Sequence, residues 1–167
     1  VLGGHVNQAG SLVHPEYLRF DITHPNKISL KQLEAIELIV NKKISEDITV
    51  ETNIKSLEEA KKEGATALFG EKYGDQVRVV TMGEYSKELC GGTHVSSTGK
   101  IKKFKIKHDK AISSGIRRIN AITHNQVDLY LKEKSEELGL QKDAEKKKTE
   151  KKQSQSILLK SVNIDSV

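Results

Sequence analysis

The most informative stretch of this 167-residue chain reads Ser86-Lys87-Glu88-Leu89-Cys90-Gly91-Gly92-Thr93-His94-Val95. Its cysteine and histidine are four residues apart, a spacing that would place both side chains on one face of a helix. Two successive glycines disfavour a helix, because each costs about 1 kcal/mol relative to alanine. We therefore predict a tight loop that aims a thiolate and an imidazole at one point. Both groups suit zinc, but a buried Cys90 beside an unrelated His94 is an open alternative.

Apolar periodicity on both sides of this loop predicts strands and helices in the same domain. Ser29 with Gln32, and Ser56 with Glu59, form two capping boxes, each of which marks a helix start. Alternating or β-branched apolar residues mark the strands. The predicted helices lie at 30–43, at 57–63 and from Asn125 onward, and the predicted strands lie at 18–22, 44–50, 76–82, 100–107 and 115–122. The expected fold class is α+β, a mixed or antiparallel sheet with packed helices followed by a C-terminal helical extension.

Composition restricts the functional classes. Charged residues make up 31% of the chain and the formal net charge is +5, which permits contact with a polyanion without demanding it. A single cysteine excludes an intrachain disulfide and fits a reducing, cytoplasmic compartment. No apolar run approaches the roughly 18 residues that span a bilayer.

The chain divides by composition into three parts. We predict a domain over 1–124, a charged connecting helix over 125–150, and a tail or the start of a further region over 151–167. The opening Val1-Leu2-Gly3-Gly4 suggests a fragment that begins within a domain, although a processed whole protein would look the same. The charged part fits a solvated helix, the root of a coiled coil or a disordered tail.

Several motifs, in order, resemble those of the alanyl-tRNA synthetase editing domain. They are His5-Val6-Asn7-Gln8-Ala9-Gly10-Ser11-Leu12-Val13, Leu18-Arg19-Phe20-Asp21-Ile22-Thr23-His24, Ala67-Leu68-Phe69-Gly70-Glu71-Lys72-Tyr73-Gly74, Val77-Arg78-Val79-Val80, the cysteine stretch continued by Thr98-Gly99-Lys100-Ile101, and Ser114-Gly115-Ile116-Arg117-Arg118-Ile119. The resemblance covers roughly residues 2–130. It implies the second additional domain fold of threonyl- and alanyl-tRNA synthetases.

The resemblance also implies an activity. In this family an ATP-dependent ligase attaches alanine to its tRNA, and the editing domain hydrolyses wrongly attached serine or glycine. A binding pocket discriminates poorly between amino acids that differ by one methyl or hydroxyl group, so a second, hydrolytic site is needed. The implied partner is the acceptor end of tRNA(Ala) and not a membrane, with self-association through the C-terminal region of the parent enzyme.

The resemblance makes Cys90 and His94 two of four zinc ligands. The other two are expected from a His-x-x-x-His pair upstream of Val1, so this chain carries half of a Zn²⁺ site. Zinc would either activate water or orient the ester while ordered water attacks, and the sequence leaves both open.

Four further residues are candidates for the editing pocket. Gln8 matches a pocket glutamine of the family and is both a catalytic and a substrate-binding candidate. Thr93 is a second catalytic candidate, and Ser11 and His5 are candidates for binding the substrate. The alternatives are a loop-capping glutamine, turn residues, and a solvent or core histidine.

Basic side chains supply candidates for tRNA binding. Arg117 and Arg118 could hold phosphates of the acceptor end, with Lys103 and Lys105 extending the surface. A solvated lysine edge that prevents aggregation is the alternative.

Three functional hypotheses follow. The chain is the editing domain of a full alanyl-tRNA synthetase, a free-standing trans-editing deacylase, or a non-catalytic tRNA-binding or assembly module. The charged helix after Asn125 favours the first.

Overall fold

Alternating burial along short β-branched segments produces two antiparallel sheets. The computed structural model describes residues 1–67 and 72–162, with the side chains of 1–67, 72–142 and 145–150. Its elements are β1 (Gln8–Val13), β2 (Leu18–Thr23), α1 (Leu30–Ser45), β3 (Val50–Ser56), α2 (Leu57–Lys62), β4 (Gln76–Met82), β5 (Ser86–Leu89), a 3-10 turn (Thr98–Ile101), β6 (Phe104–Ser113), β7 (Ile116–Thr123) and α3 (Asn125–Val162). The chain separates into two compact units, Val1–Val127 and Asp128–Val167.

The first unit holds both sheets. One sheet has the order β1-β2-β7-β6 and the other has the order β3-β4-β5, with antiparallel pairing throughout. Sequence neighbours pair in β1-β2, β3-β4-β5 and β6-β7, and among the described strands only the β2-β7 pairing joins distant segments. This topology confirms the predicted α+β class with antiparallel sheets, packed helices and a C-terminal helix.

Each sheet buries its own apolar cluster. In the four-stranded sheet Ile22, Ile106 and Ile119 pack with Ile28, which is 1% exposed, while α1 adds apolar side chains to the same cluster. In the three-stranded sheet the buried residues are Ala60, Val77, Val79 and Leu89, so α2 covers that sheet through Ala60. Val80 is buried as well, so β4 buries apolar side chains on both of its faces.

The helix boundaries follow from the predicted capping boxes. The Gln32 amide donates to Ser29 Oγ at 3.3 Å and the Ser29 amide donates to Gln32 Oε1 at 2.9 Å, which satisfies donors that a helix start leaves open. Ser56 and Glu59 repeat the arrangement at α2. Gly64 follows α2 at φ +78°, a left-handed conformation that glycine adopts without strain.

Three details differ from the sequence-based prediction. β5 was not predicted, because its four residues bury only Leu89 fully. Residues 98–101 form a 3-10 turn, and β6 begins only at Phe104 although the lysine alternation predicts a strand from residue 100. Ile44 belongs to α1 and is buried there, so the next strand begins at Val50 rather than Ile44.

Helix α3 starts at the predicted residue, Asn125, and continues to Val162. Within the described part of the second unit, Lys134 pairs with Glu137 at 2.6 Å, and Leu129, Leu131, Leu138 and Leu140 are exposed. The proposed divisions at 124 and 150 stay predictions, and residues 163–167 of the predicted tail lie outside the described residues. None of the helices in the described part is long and apolar enough to cross a membrane.

Candidate functional site

The loop from Cys90 to His94 leaves the end of β5, as its glycines predict, and we refer to it as the cysteine–histidine loop. Leu89, the residue before the loop, is buried. The Leu89 amide donates to the Thr66 carbonyl at 2.9 Å. The Cys90 amide then donates to the Arg78 carbonyl at 3.1 Å, which continues the β4-β5 pairing by one residue. The loop therefore starts from a fixed backbone position.

Arg78 contacts the middle of the loop with its side chain. Its Nη1 group donates to the Gly91 carbonyl at 3.1 Å and also to the Gly92 carbonyl. The Cys90 sulfur lies over Gly92, where a Cβ would sit 3.6 Å from Sγ. The thiol is half-buried, whereas the Thr93 and His94 side chains are exposed.

Beyond His94 the chain is attached to the end of α1. The buried Thr98 hydroxyl donates to the Lys43 carbonyl at 2.6 Å and accepts the Ile48 amide at 2.8 Å. The Gly99 amide donates to Asp47 Oδ1 at 2.9 Å, and a Cβ at Gly99 would lie 2.2 Å from that oxygen, so a side chain there would displace the Asp47 carboxylate. Hydrogen bonds from Ser97 and Gly99 lower the pKa of Asp47. Both ends of the loop are thus fixed to regular structure.

The donor chemistry of this loop fits zinc, but the number of donors does not complete a site. A thiolate and an imidazole are typical zinc ligands, and even a catalytic site uses three protein ligands. Among the described residues no group of three or more His, Cys, Asp or Glu side chains is arranged to hold a metal ion. A metal at Cys90 and His94 would therefore need donors from outside these residues.

The candidate pocket residues lie on the other sheet. Gln8 is half-buried in β1, next to a break in strand register between Gln8 and Gly10. Its Nε2 group donates to Ser11 Oγ at 3.3 Å, so the structure brings these two predicted residues together. A register break of this kind redirects a side chain. Gln8 and Ser11 belong to the four-stranded sheet, whereas Cys90 follows the three-stranded one.

His5 makes a contact that the sequence did not predict. Its Nε2 lies 2.9 Å from Nδ1 of His24, and the two rings stack with centroids 5.2 Å apart. His24 is buried and His5 is exposed. The pair ties the N-terminal segment to the end of β2, which favours a structural role for His24.

The two candidate arginines are both ion-paired. Arg117 contacts Asp109, and only 10% of its side-chain surface is exposed. Arg118 lies directly opposite Asp21 in the β2-β7 register and binds both carboxylate oxygens at 2.7 Å. Arg118 lowers the pKa of Asp21.

The candidate lysines differ in environment. Lys105 Nζ pairs with Glu37 of α1 at 2.7 Å, whereas the Lys103 side chain is exposed. Lys103 follows His94 by nine residues. Phosphate binding by either lysine or by the two arginines stays a prediction, and the burial of Arg117 favours a role within the sheet.

Sequence comparison relates this chain to known proteins. Residues 77–120 match the threonyl and alanyl tRNA synthetase second additional domain. The chain is 56% identical over 138 residues, 83% of its length, to alanine–tRNA ligase 1 of Lachnoclostridium phytofermentans. It is 57% identical over 134 residues, 80% of its length, to the alanine–tRNA ligase of Clostridioides difficile. With the ligase of Oceanobacillus iheyensis it shares 52% identity over 153 residues, 92% of its length.

The chain belongs to the alanyl-tRNA synthetase family.

It spans about a sixth of the length of these relatives, with 16%, 15% and 17% of each covered. The part that matches the second additional domain contains β4, the cysteine–histidine loop and the start of β7. Both donors of the candidate zinc site therefore lie inside the matched domain of this alanyl-tRNA synthetase segment.

Sequence reasoning missed the residues that hold the loop of this synthetase domain. Arg78 contacts the loop, and Asp47 and Thr98 fix its continuation, through hydrogen bonds between residues 13 to 55 positions apart in the chain. An arginine within a run of valines was the only available signal, because a lone charge in an apolar strand needs a partner. Nothing in the spacing of Asp47 and Gly99 indicated their contact.

Proposed function

We propose that this chain is the editing domain of an alanine–tRNA ligase and that it hydrolyses the ester of Ser-tRNA(Ala) and Gly-tRNA(Ala). One observation carries the proposal: the matched second additional domain includes a Cys–His loop whose two ends are anchored by hydrogen bonds. The proposed partner is the acceptor end of tRNA(Ala). The relatives are ligases much longer than this chain, which favours a domain of a ligase over a free-standing deacylase.

The reaction is the attack of water on the ester carbonyl carbon. The bond between that carbon and the ribose oxygen breaks, the amino acid leaves as a carboxylic acid that then loses its proton, and the ribose oxygen takes up a proton. Bound at the loop with donors from elsewhere in the longer protein, zinc would supply Lewis acidity. In this scheme Cys90 and His94 are ligands, and a thiolate engaged as a ligand is not a free nucleophile.

The remaining candidates position the substrate. The Gln8 amide, placed beside Ser11, can donate to the amino acid or to the terminal ribose while accepting at its carbonyl. The exposed Thr93 offers a hydroxyl next to His94. These groups would hold the ester so that it meets water in a fixed orientation, which lowers the entropic part of the barrier.

Release of serine from Ser-tRNA(Ala) tests this function in a form of the protein extended upstream to include the expected histidine pair. We expect Cys90→Ala to lose bound zinc and to reduce deacylation by about 100-fold or more, because replacing a ligand removes the metal outright. Ser96→Ala is the matched control. Ser96 lies in the same segment and contributes its backbone carbonyl to Val50, so that variant should keep both properties.

The small number of donors in these residues favours one other candidate, a tRNA-binding module without catalysis. That module would bind tRNA(Ala) but release no serine in the extended form. Full deacylation by Cys90→Ala would instead show that the loop is not part of the hydrolytic site.

A further inference from the structure

The side chain of Arg78 reaches from β4 to the cysteine–histidine loop. Val77 and Val79 point into the core, so alternation places Arg78 on the opposite face of β4. That face is unevenly covered, since the cross-strand partner Ile54 is 75% exposed whereas Val80 is 3% exposed. Arg78 itself is half-buried, and a half-buried charge needs hydrogen-bonding partners or water. Its partners here are backbone carbonyls of the loop.

The contact is made to the two glycines between the candidate ligands. One guanidinium nitrogen, Nη1, donates to the carbonyls of Gly91 and Gly92. Two successive glycines give this segment the widest choice of backbone conformations in the loop. Hydrogen bonds from a charged donor to both carbonyls remove much of that freedom, and such bonds are stronger than those between neutral groups.

Backbone and side chain of Arg78 act on neighbouring parts of the loop. The Arg78 carbonyl accepts the Cys90 amide, which fixes the start of the loop, while the guanidinium fixes the next two peptide groups. The Cys90 sulfur rests against Gly92. Any motion of the Gly91 and Gly92 peptides therefore moves the surroundings of the thiol and the position of His94.

We propose that Arg78 is a positioning residue of this site, which restrains the backbone between the two candidate ligands Cys90 and His94. The role rests on the proposed editing function, although the loop restraint itself can be measured without it. Residues that orient ligands in this way typically change metal affinity by 10–100-fold when replaced.

Alkylation of Cys90 by iodoacetamide tests the restraint in the chain itself, because this is the only cysteine and total labelling reports on one thiol. Arg78→Met removes both hydrogen bonds to the glycine carbonyls and keeps an unbranched side chain. We expect it to raise the alkylation rate about tenfold or more. Arg78→Lys keeps a charged donor on a shorter side chain and should give a smaller rise, a partial rescue.

Arg118→Met is the matched control, since it makes the same chemical change in the other sheet and removes the ion pair with Asp21. It should lower the unfolding midpoint and leave the alkylation rate within about twofold. An unchanged rate in Arg78→Met, or an equal rise in Arg78→Met and Arg118→Met, would overturn the positioning role. So would loss of cooperative unfolding in both Arg78 variants, because a residue that only positions the loop is not required for the sheet to fold.

Serine release separates this inference from the proposed function. If Arg78→Met accelerates alkylation while Cys90→Ala leaves deacylation intact, Arg78 restrains the loop but the editing proposal fails. If Cys90→Ala abolishes deacylation while Arg78→Met changes neither alkylation nor zinc content, the editing proposal stands and the role of Arg78 fails.

Discussion

At the scale of single residues, the pair of Asp21 and Arg118 shows how one cross-strand contact joins segments far apart in the chain. The two residues are directly opposite in the pairing of β2 with β7, which connects the first part of the domain to the last. The guanidinium binds both carboxylate oxygens, and the Asp21 side chain is 14% exposed. A bidentate pair in this position fixes register as well as adding stability.

This pair predicts a pH-dependent loss of stability in Asp21→Asn. Arg118 lowers the pKa of Asp21 in the folded state. The stabilisation is therefore fully present above the unfolded value of about 3.9 and is lost as the pH falls through the lowered folded value. Urea unfolding should show a lower midpoint for Asp21→Asn at pH 7 and pH 5, and the difference from the unaltered chain should shrink below pH 4.

The control is Asp75→Asn, which makes the same chemical change at an exposed residue between α2 and β4 whose backbone carbonyl accepts the Leu57 amide. Its unfolding midpoint should follow that of the unaltered chain across the same pH range. A difference for Asp21→Asn that stays constant down to pH 2 would contradict the ionic origin of the effect.

Residue-level prediction succeeded where the partners are near in sequence. Ser29 and Gln32 are three positions apart, so their reciprocal bonds could be predicted from spacing. Arg78 and Gly92 are fourteen apart and meet only after β4 and β5 pair, which no local pattern encodes. The contact between Asp21 and Arg118 could not be predicted for the same reason, since it depends on the cross-strand register.

At the scale of elements, helix α1 holds the segment that follows the cysteine–histidine loop. In its last turn the Lys43 carbonyl accepts a hydrogen bond from the Thr98 hydroxyl. The Asn41 side chain donates to the Phe104 carbonyl and accepts from the Phe104 amide, both at 2.9 Å. The start of α1 depends on Ser29. Weakening that start should therefore reduce the stability of the domain that holds the loop.

Ser29→Ala should destabilise the folded chain by about 1 kcal/mol, because the Gln32 amide loses its side-chain acceptor at the helix N-terminus. Chemical denaturation followed by circular dichroism measures the change. Ser45→Ala is the control at the other end of the same helix. The Ser45 hydroxyl bonds the Lys42 carbonyl within one turn, and its loss should change stability by about 0.5 kcal/mol or less.

Element prediction was accurate for segments with a strong period and poor for charged ones. β4 was predicted over its full extent from its three valines, Val77, Val79 and Val80, and the structure buries all three. β5 has one fully buried residue and exists because β4 offers it a hydrogen-bonding edge. The turn at 98–101 escaped prediction because the contact between Asp47 and Gly99 outweighs the alternation of Ile101 with its lysines.

At the scale of the whole molecule, a net charge of +5 allows the proposed tRNA contact to be measured through its salt dependence. Each lysine that neutralises a phosphate releases counterions, so the affinity falls with salt in proportion to the number of contacts. Lys103 and Lys105 were both predicted to bind phosphates. They lie on the same segment and carry the same charge, and only their surroundings differ.

Lys103→Gln should lower the slope of log affinity against log salt by about 0.7 to 0.9, the value for one phosphate contact. Lys105→Gln should lower it by less than the value of one full phosphate contact, because Glu37 already holds the Lys105 ammonium at 2.7 Å. Filter binding of tRNA(Ala) between 50 and 200 mM salt, the range over which such slopes are read, measures both. Equal changes in slope would mean that Lys105 leaves Glu37 to bind phosphate, and an unchanged slope for Lys103→Gln would remove that residue from the tRNA-binding surface.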